Sequence, residues 1–295
     1  MTRQTRERII EALLFASAVT AVVIVVLIMV FLFKEGAPFL LRYGIHNFCL
    51  GMEWNPIAIN GEPLYGIFPM IMGSVYIAAG SLVLAVPLGI SCAVFLVEIA
   101  PPLAQTVIRR GIELLVGIPS VVLGFFGLVL LVPLIRDSLG GFGFSILAGS
   151  VILAIMALPH IISISTDALT AVPETYKQAS LALGATRWHT IWNVILPTAR
   201  SGIVAAVILG MGNSIGETMA VLMVAGNSPI MPEPIYDVLD PVRTMTANIV
   251  IEMNYAAPGN HRQALFATGV VLFVMVATLN AISHRVLKSK MEAGR

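Results

Sequence analysis

Polar and apolar positions in this 295-residue chain fall into long blocks rather than short periods. Six apolar runs dominate, at about 13–33, 68–98, 112–134, 144–164, 203–225 and 264–282. Each is about 20 residues or more, enough at 1.5 Å per residue to cross ~30 Å of hydrocarbon. Lipid offers no partner for a backbone N–H or C=O, so a spanning segment must close its hydrogen bonds internally. The pattern therefore predicts six membrane helices. Pro87 and Gly89 in the second run, Pro119 early in the third and Pro159 near the end of the fourth read as kinks that shape packing.

The intervals between the runs differ in character. Residues 34–68 are polar and turn-rich, with Trp54, Pro56, Asn60-Gly61 and Pro63, and read as an external loop with a hairpin or re-entrant turn. A short link at 99–111 carries Pro101, Pro102, Arg109 and Arg110. A glycine-rich turn (Gly140, Gly141, Gly143) follows Arg136 and Asp137, and residues 226–262 form a second long polar loop. The first run is too long for the apolar part of a signal peptide, and no small-residue cleavage site follows it, so it reads as an uncleaved span. The chain divides accordingly into 1–68 (tail, first membrane helix, external loop) and 69–290 (a core of five membrane helices).

The interval Pro173–Pro197, PETYKQASLALGATRWHTIWNVILP, stands apart as an amphipathic, charged stretch between two apolar runs. Pro173 and Glu174 suit a helix start. Tyr176, Ala179, Ser180 and Leu183 share one face, and Gly184 stops the helix. Thr186 is a candidate N-cap for a second helix, in which Trp188, Ile191, Trp192 and Ile195 make one apolar stripe. Periodicity alone allows an amphipathic loop on a membrane surface. Pro197 can open the next span.

Composition and charge sharpen this picture. Hydrophobic residues are 58% and charged residues 11%, with mean hydropathy +0.92. A soluble domain averages about 25% charged, so the chain is an integral membrane protein whose first partner is lipid. A net charge of +1 without a basic stripe excludes a nucleic-acid partner. Arg3, Arg6, Arg8, Arg109, Arg110, Lys177, Arg187, Arg200, Arg285, Lys288, Lys290 and Arg295 lie in the termini, the 99–111 link and the central hinge. The other three loops hold Lys34, Arg42, Arg136, Arg243 and Arg262. The positive-inside rule then puts both termini and the hinge in the cytoplasm of a multi-pass cell-membrane protein.

Candidate chemistry is sparse. There is no G-x-x-x-x-G-K-[ST] motif, no H-E-x-x-H and no nucleophile elbow, and the histidines are scattered. Cys49 and Cys92 have neither metal nor redox spacing. No catalytic residue, metal site or cofactor is expected. A chain that moves a solute with these residues must draw its energy from another subunit or from an ion gradient.

The hinge also carries a pattern. Gln178-Ala179-Ser180, then Gly184, Val194, Leu196 and Pro197, resembles the E-A-A-x3-G-x9-I-x-L-P signature of ABC importer permeases, with Gln178, Ser180 and Val194 as conservative departures. Glu53-Trp54-Asn55-Pro56, Tyr65-Gly66-Ile67, Gly73-Ser74, the stretch from Glu113 to Gly124 and Gly216-Glu217-Thr218-Met219-Ala220 are similar to phosphate importer permeases, of the PstC rather than the PstA type. The resemblance implies an all-α, six-helix, type I ABC importer permease fold with cytoplasmic coupling helices at about 174–196. It implies that Gln178, Ala179, Ser180, Gly184, Leu196 and Pro197 dock an ATPase, and Gly184 is expected to be less replaceable than Gln178. The implied partners are two copies of an ATP-binding subunit, a second permease subunit of PstA type and an external phosphate-binding protein.

Two positions bear on the pathway. The resembling family often carries an arginine in a G-R-A-x-G-E pattern; here the stretch is Gly212-Asn213-Ser214-Ile215-Gly216-Glu217, with Asn213 in that place. Glu217, an ionisable group in an apolar run, is costly to place unless it is paired or faces a pathway. A carboxylate repels phosphate, so a gate or conformational lock suits Glu217 better than direct coordination. Alternative cargoes are molybdate, sulfate and tungstate. A gradient-driven carrier or a membrane scaffold is the alternative of a different class.

Overall fold

All six apolar runs are built as helices long and apolar enough to cross a membrane: Ile10–Tyr43, Phe68–Ile99, Ser120–Leu139, Ile146–Thr170, Arg187–Gly216 and Asn260–Ile282. The computed structural model describes residues 3–58 and 62–292, so the Asn60-Gly61 turn and Arg295 lie outside the described residues.

The first helix, α1 (Arg3–Tyr43), runs ten residues further than the apolar run and takes up the start of the expected external loop. Packing is the reason. Gly36 lets α1 lie against α13 (Asn260–Glu292): a Cβ there would sit 2.8 Å from the backbone of Phe266 and Ala267. Phe31 and Phe33 meet Phe266 and Phe273 edge to face on the same seam. The apolar residues from Leu13 to Val30 are exposed along the free part of α1, a surface that suits lipid.

Two boundaries move for physical reasons. The link and the start of the third run form a separate amphipathic helix, α4 (Pro102–Val116). The third span therefore begins at Ser120 rather than near 112. Pro119 disfavours helical backbone at the residue before it, so Gly117-Ile118-Pro119 becomes a joint. The span itself is α5 (Ser120–Phe126), a π-helical turn (Gly127–Leu131) and α6 (Val132–Leu139).

The centre is α7 (Ile146–Thr170), the most buried of the six spans, between α3 (Phe68–Val94) and α10 (Leu196–Gly216). Small residues set these crossings, as they must where lipid supplies no hydrophobic drive between helices. Gly89 and Gly210 both lie against Ile161, and Gly149 against Ile77. Ser81 and Ser214, both buried, share a 3.3 Å hydrogen bond between α3 and α10.

One end of the bundle carries a small loop layer of its own. It holds α2 (Ile45–Leu50), an antiparallel pair of β1 (Trp54–Asn55) and β2 (Leu64–Tyr65), and α12 (Met245–Met253). The pair bears out the hairpin reading of this loop. Phe39, Tyr43, Phe48, Trp54 and Tyr65 form its aromatic nest, with ring centres 5.2–6.5 Å apart. The layer joins residues from both sides of position 68. The pattern of 226–262 predicts a polar loop without a helix, yet α12 is there. Its start is marked by Thr244, whose Oγ1 accepts the Ala247 N–H at 3.2 Å.

Candidate functional site: the hinge helix and the broken fifth span

The hinge begins with α8 (Glu174–Ala182), directly after Pro173, with Glu174 in the first turn where a carboxylate suits the helix dipole. Its end is a Schellman closure. Ala185 N–H donates to the Ser180 carbonyl at 3.2 Å and Gly184 N–H to the Leu181 carbonyl at 3.0 Å. Gly184 has φ +84°, a region that any Cβ makes costly.

No residue of α8 is buried. The face that the sequence marks as apolar looks outward: Tyr176 and Ala179 are exposed, as is Leu183 beyond them at 90%. Gln178 is exposed beside them. The inward side is polar. Ser180 Oγ lies 2.9 Å from Thr190 Oγ1, and Lys177 Nζ lies 2.7 Å from Glu98 Oε2. An amphipathic helix that turns its apolar face away from the rest of its chain has that face free for a partner.

The second hinge helix is not a separate element. After the Thr186 cap, which accepts the His189 N–H at 3.2 Å, α9 (Arg187–Thr190) and a π-helical turn (Ile191–Ile195) run straight into α10. The fifth span thus starts at Arg187, not near 203. Pro197 fails to end the helix because Leu196 N–H already bonds five residues back, to Ile191, so the bonding register has shifted before the residue that lacks an N–H. The expected stripe splits between two rows. Ile191 and Ile195 are buried with Ala93, Val94 and Leu169, whereas Trp188 and Trp192 are more than half exposed, their rings 6.0 Å apart. Leu196 packs on the same buried cluster, and Pro197 is exposed. Of the six motif residues, Gln178, Ala179 and Gly184 share the outer surface at α8, Ser180 turns inward, and Leu196 and Pro197 belong to α10.

Glu217 sits at a break. The fifth run, read as continuous over 203–225, ends as α10 at Gly216; Glu217 is extended (φ −72°, ψ 128°), and a short helix α11 (Met219–Val224) follows. Glu217 Oε1 accepts the Ala220 N–H at 3.2 Å, so the carboxylate caps α11. Ala220 is fully buried against Gly124 of α5, where a Cβ would lie 2.8 Å from the Ala220 Cα. Non-helical backbone between membrane helices is tolerated where protein or a cavity surrounds it. Asn213 is exposed in the last turn of α10, and no hydrogen bond joins it to Glu217 among the described residues. No proline announces the break; Gly212 and Gly216 are its only local sign.

Sequence reasoning missed two charged groupings. One is the Glu98–Lys177 pair. The other lies in the loop layer, where Glu252 is 4% exposed. It accepts from Trp54 Nε1 at 2.8 Å, one guanidinium nitrogen of Arg243 at 2.9 Å and His261 Nε2 at 2.9 Å. Arg243 also donates to the Asn227 carbonyl at 2.9 Å and to Asn248 Oδ1 at 3.1 Å. Isolated charges in two polar loops carry no local sign that they will meet.

Residues 85–292, which contain α8, Glu98 and Glu217, match the model of the binding-protein-dependent transport system inner membrane component. The chain belongs to this family. It is 41% identical over 264 residues to the probable ABC transporter permease protein YqgH of Bacillus subtilis, covering 88% of this chain and 84% of the relative. It is 34% identical over 271 residues to the phosphate transport system permease protein PstC of Haemophilus influenzae, covering 85% and 83%. Its fold is similar to a chain of the bacterial alginate ABC transporter crystallised with a periplasmic protein, with TM-score 0.66, 15% identity and 96% of each chain covered. Membership of this family fits a multi-pass membrane protein and a non-catalytic permease chain.

Proposed function

We propose that this permease is the membrane subunit of an ATP-driven importer of inorganic phosphate. The observation that carries the reading is α8, a nine-residue helix with nothing buried, whose apolar face and terminal Leu183 point away from the chain. Its surface suits a socket on an ATPase, and its small residues Ala179 and Gly184 allow close approach. The segregation of basic residues supports a cytoplasmic position for α8 and both termini. Phosphate is the cargo named for PstC relatives. The full machine then needs two ATP-binding subunits, a second permease subunit of PstA type and an external phosphate-binding protein. ATP-driven closure of the ATPases moves α8, and the spans rock between outward- and inward-open states around the pathway.

The test is reconstitution. The chain, co-expressed with its neighbouring reading frames, is expected to retain an ATPase on purification and to import labelled phosphate into vesicles only with ATP and the binding protein. Failure to retain an ATPase, or stronger uptake of molybdate, sulfate or tungstate, overturns the reading. Deletions that probe α8 must stop at Gly184, because Arg187 onward is the fifth span.

Glu217 and Asn213 are proposed to face the pathway at the α10–α11 break, with Glu217 as a gate. Glu217→Gln keeps an oxygen that can cap Ala220 and removes the charge. Phosphate uptake is expected to fall about tenfold while ATP hydrolysis persists, the size of a typical coupling energy. Unchanged uptake at normal expression rules the gate out.

A further inference from the structure

The attachment of α8 to the membrane helices is sparse, and this sparseness singles out one contact. The helix has no buried residue. Among the described residues its side-chain polar attachments are Ser180 to Thr190, at the start of the fifth span, and Lys177 to Glu98, on the π-helical turn Phe95–Ile99 that ends α3. The second joins the more distant parts of the chain and is itself well shielded: the side chains of Lys177 and Glu98 are 22% and 8% exposed, with Nζ–Oε2 at 2.7 Å. Charge-assisted bonds of this length are short and directional.

The surroundings leave the pair isolated. A cavity of about 180 Å³ lies on one side, lined by both residues with Leu181, Arg187, Trp188 and Ile191. A second, of about 140 Å³, is lined by both residues with Leu169, Pro173, Glu174 and Ile195. Close packing transmits displacement because dense interiors do not compress; the two clefts leave less of such packing directly beside the pair. Between them stands the ion pair. Arg187 and Glu174 share the cavity walls, yet neither forms an ion pair with Lys177 or Glu98 among the described residues.

We infer that Lys177 and Glu98 are positioning residues, the link through which displacement of α8 by the ATPase reaches the second span. Glu98 is well placed for this, since its π-helical turn continues α3, and α3 packs along α7 at the centre of the molecule. A pull on Lys177 therefore acts on the end of a rigid helix. Ser180 and Thr190 deliver the same displacement to the fifth span, so α8 holds two spans at once. The inference rests on the permease reading given above.

The experiment is a double-mutant cycle in the reconstituted complex, reading phosphate imported per ATP hydrolysed. Lys177→Met and Glu98→Gln are each expected to lower this ratio about tenfold with the ATPase still retained, and the double variant to be no worse than either single change. Lys177→Arg is expected to restore most of the ratio. Additive losses, an unchanged ratio in the single variants, or Lys177→Arg as impaired as Lys177→Met overturns the inference. So does a parallel loss of hydrolysis, uptake and ATPase retention, which assigns the pair to folding or docking alone. Failure of the unmodified chain to retain an ATPase removes the permease reading instead, and is scored separately.

Discussion

Glu252→Ala is expected to destabilise the loop layer around Trp54 and Tyr65 by about 3–5 kcal/mol, the cost of removing one partner from a buried ion pair. The carboxylate holds three donors at once: the Trp54 indole, Arg243 and His261. Without it the Arg243 guanidinium, 14% exposed at the side chain, keeps only Asn227 and Asn248 as acceptors. Trp54 loosens too, and it belongs to the nest with Tyr65. Thermal unfolding of the purified chain in detergent measures the effect, with Trp54 fluorescence, read in a background where Trp188 and Trp192 are replaced by Phe, reporting the layer itself. The asymmetry between breaking and replacing a buried pair gives a second arm: Glu252→Leu with Arg243→Met is expected to cost less than Glu252→Ala alone. A loss under about 1 kcal/mol for Glu252→Ala means that the layer is held by its aromatic packing instead.

Leu183→Asp is expected to weaken retention of the ATPase about thirtyfold, or ~2 kcal/mol, as for a central apolar anchor of an interface. The chain alone loses nothing, since Leu183 is 90% exposed in it. Unchanged unfolding with lost co-purification is thus the expected pair of results. Gly184→Leu separates docking from the shape of the helix end. No atom lies within 4 Å of the missing Cβ, so the substitution meets no clash and acts through φ +84° alone. Left-handed backbone costs a non-glycine residue about 1–2 kcal/mol, enough to fray the last turn of α8 and move Leu183. Gln178→Ala, on the same exposed face with helical backbone, is expected to do less. If Leu183→Asp leaves the ATPase bound, α8 is not the docking element.

The two expectations for the hinge fared differently, and the difference is instructive. Its first helix was legible because every signal was local: Pro173, Glu174 and Gly184 act within one or two turns. Its second helix was legible as a helix and not as part of the span. Pro197 argued for a boundary, and the π-helical turn that carries the chain past it is held by Ile191 and Ile195 in a cluster with Ala93, Val94 and Leu169. Those contacts come from α3 and α7. The same holds for Glu217, where an apolar run that reads as continuous is broken and then recapped by the side chain itself.

The six spans, the segregation of basic residues, the amphipathic hinge and the family signature within it are all legible along the chain. Each of these follows from summed apolarity or from residue types a few positions apart, and partition into lipid responds to just such sums. Which face of α8 looks outward, where the fifth span starts and breaks, and which charges meet depend on how the helices pack. Trp54 and Glu252 are 198 positions apart, and nothing near either one predicts the other. A buried charge finds its partner through the packing of whole helices, so its location is a property of the assembled fold and not of the stretch that carries it.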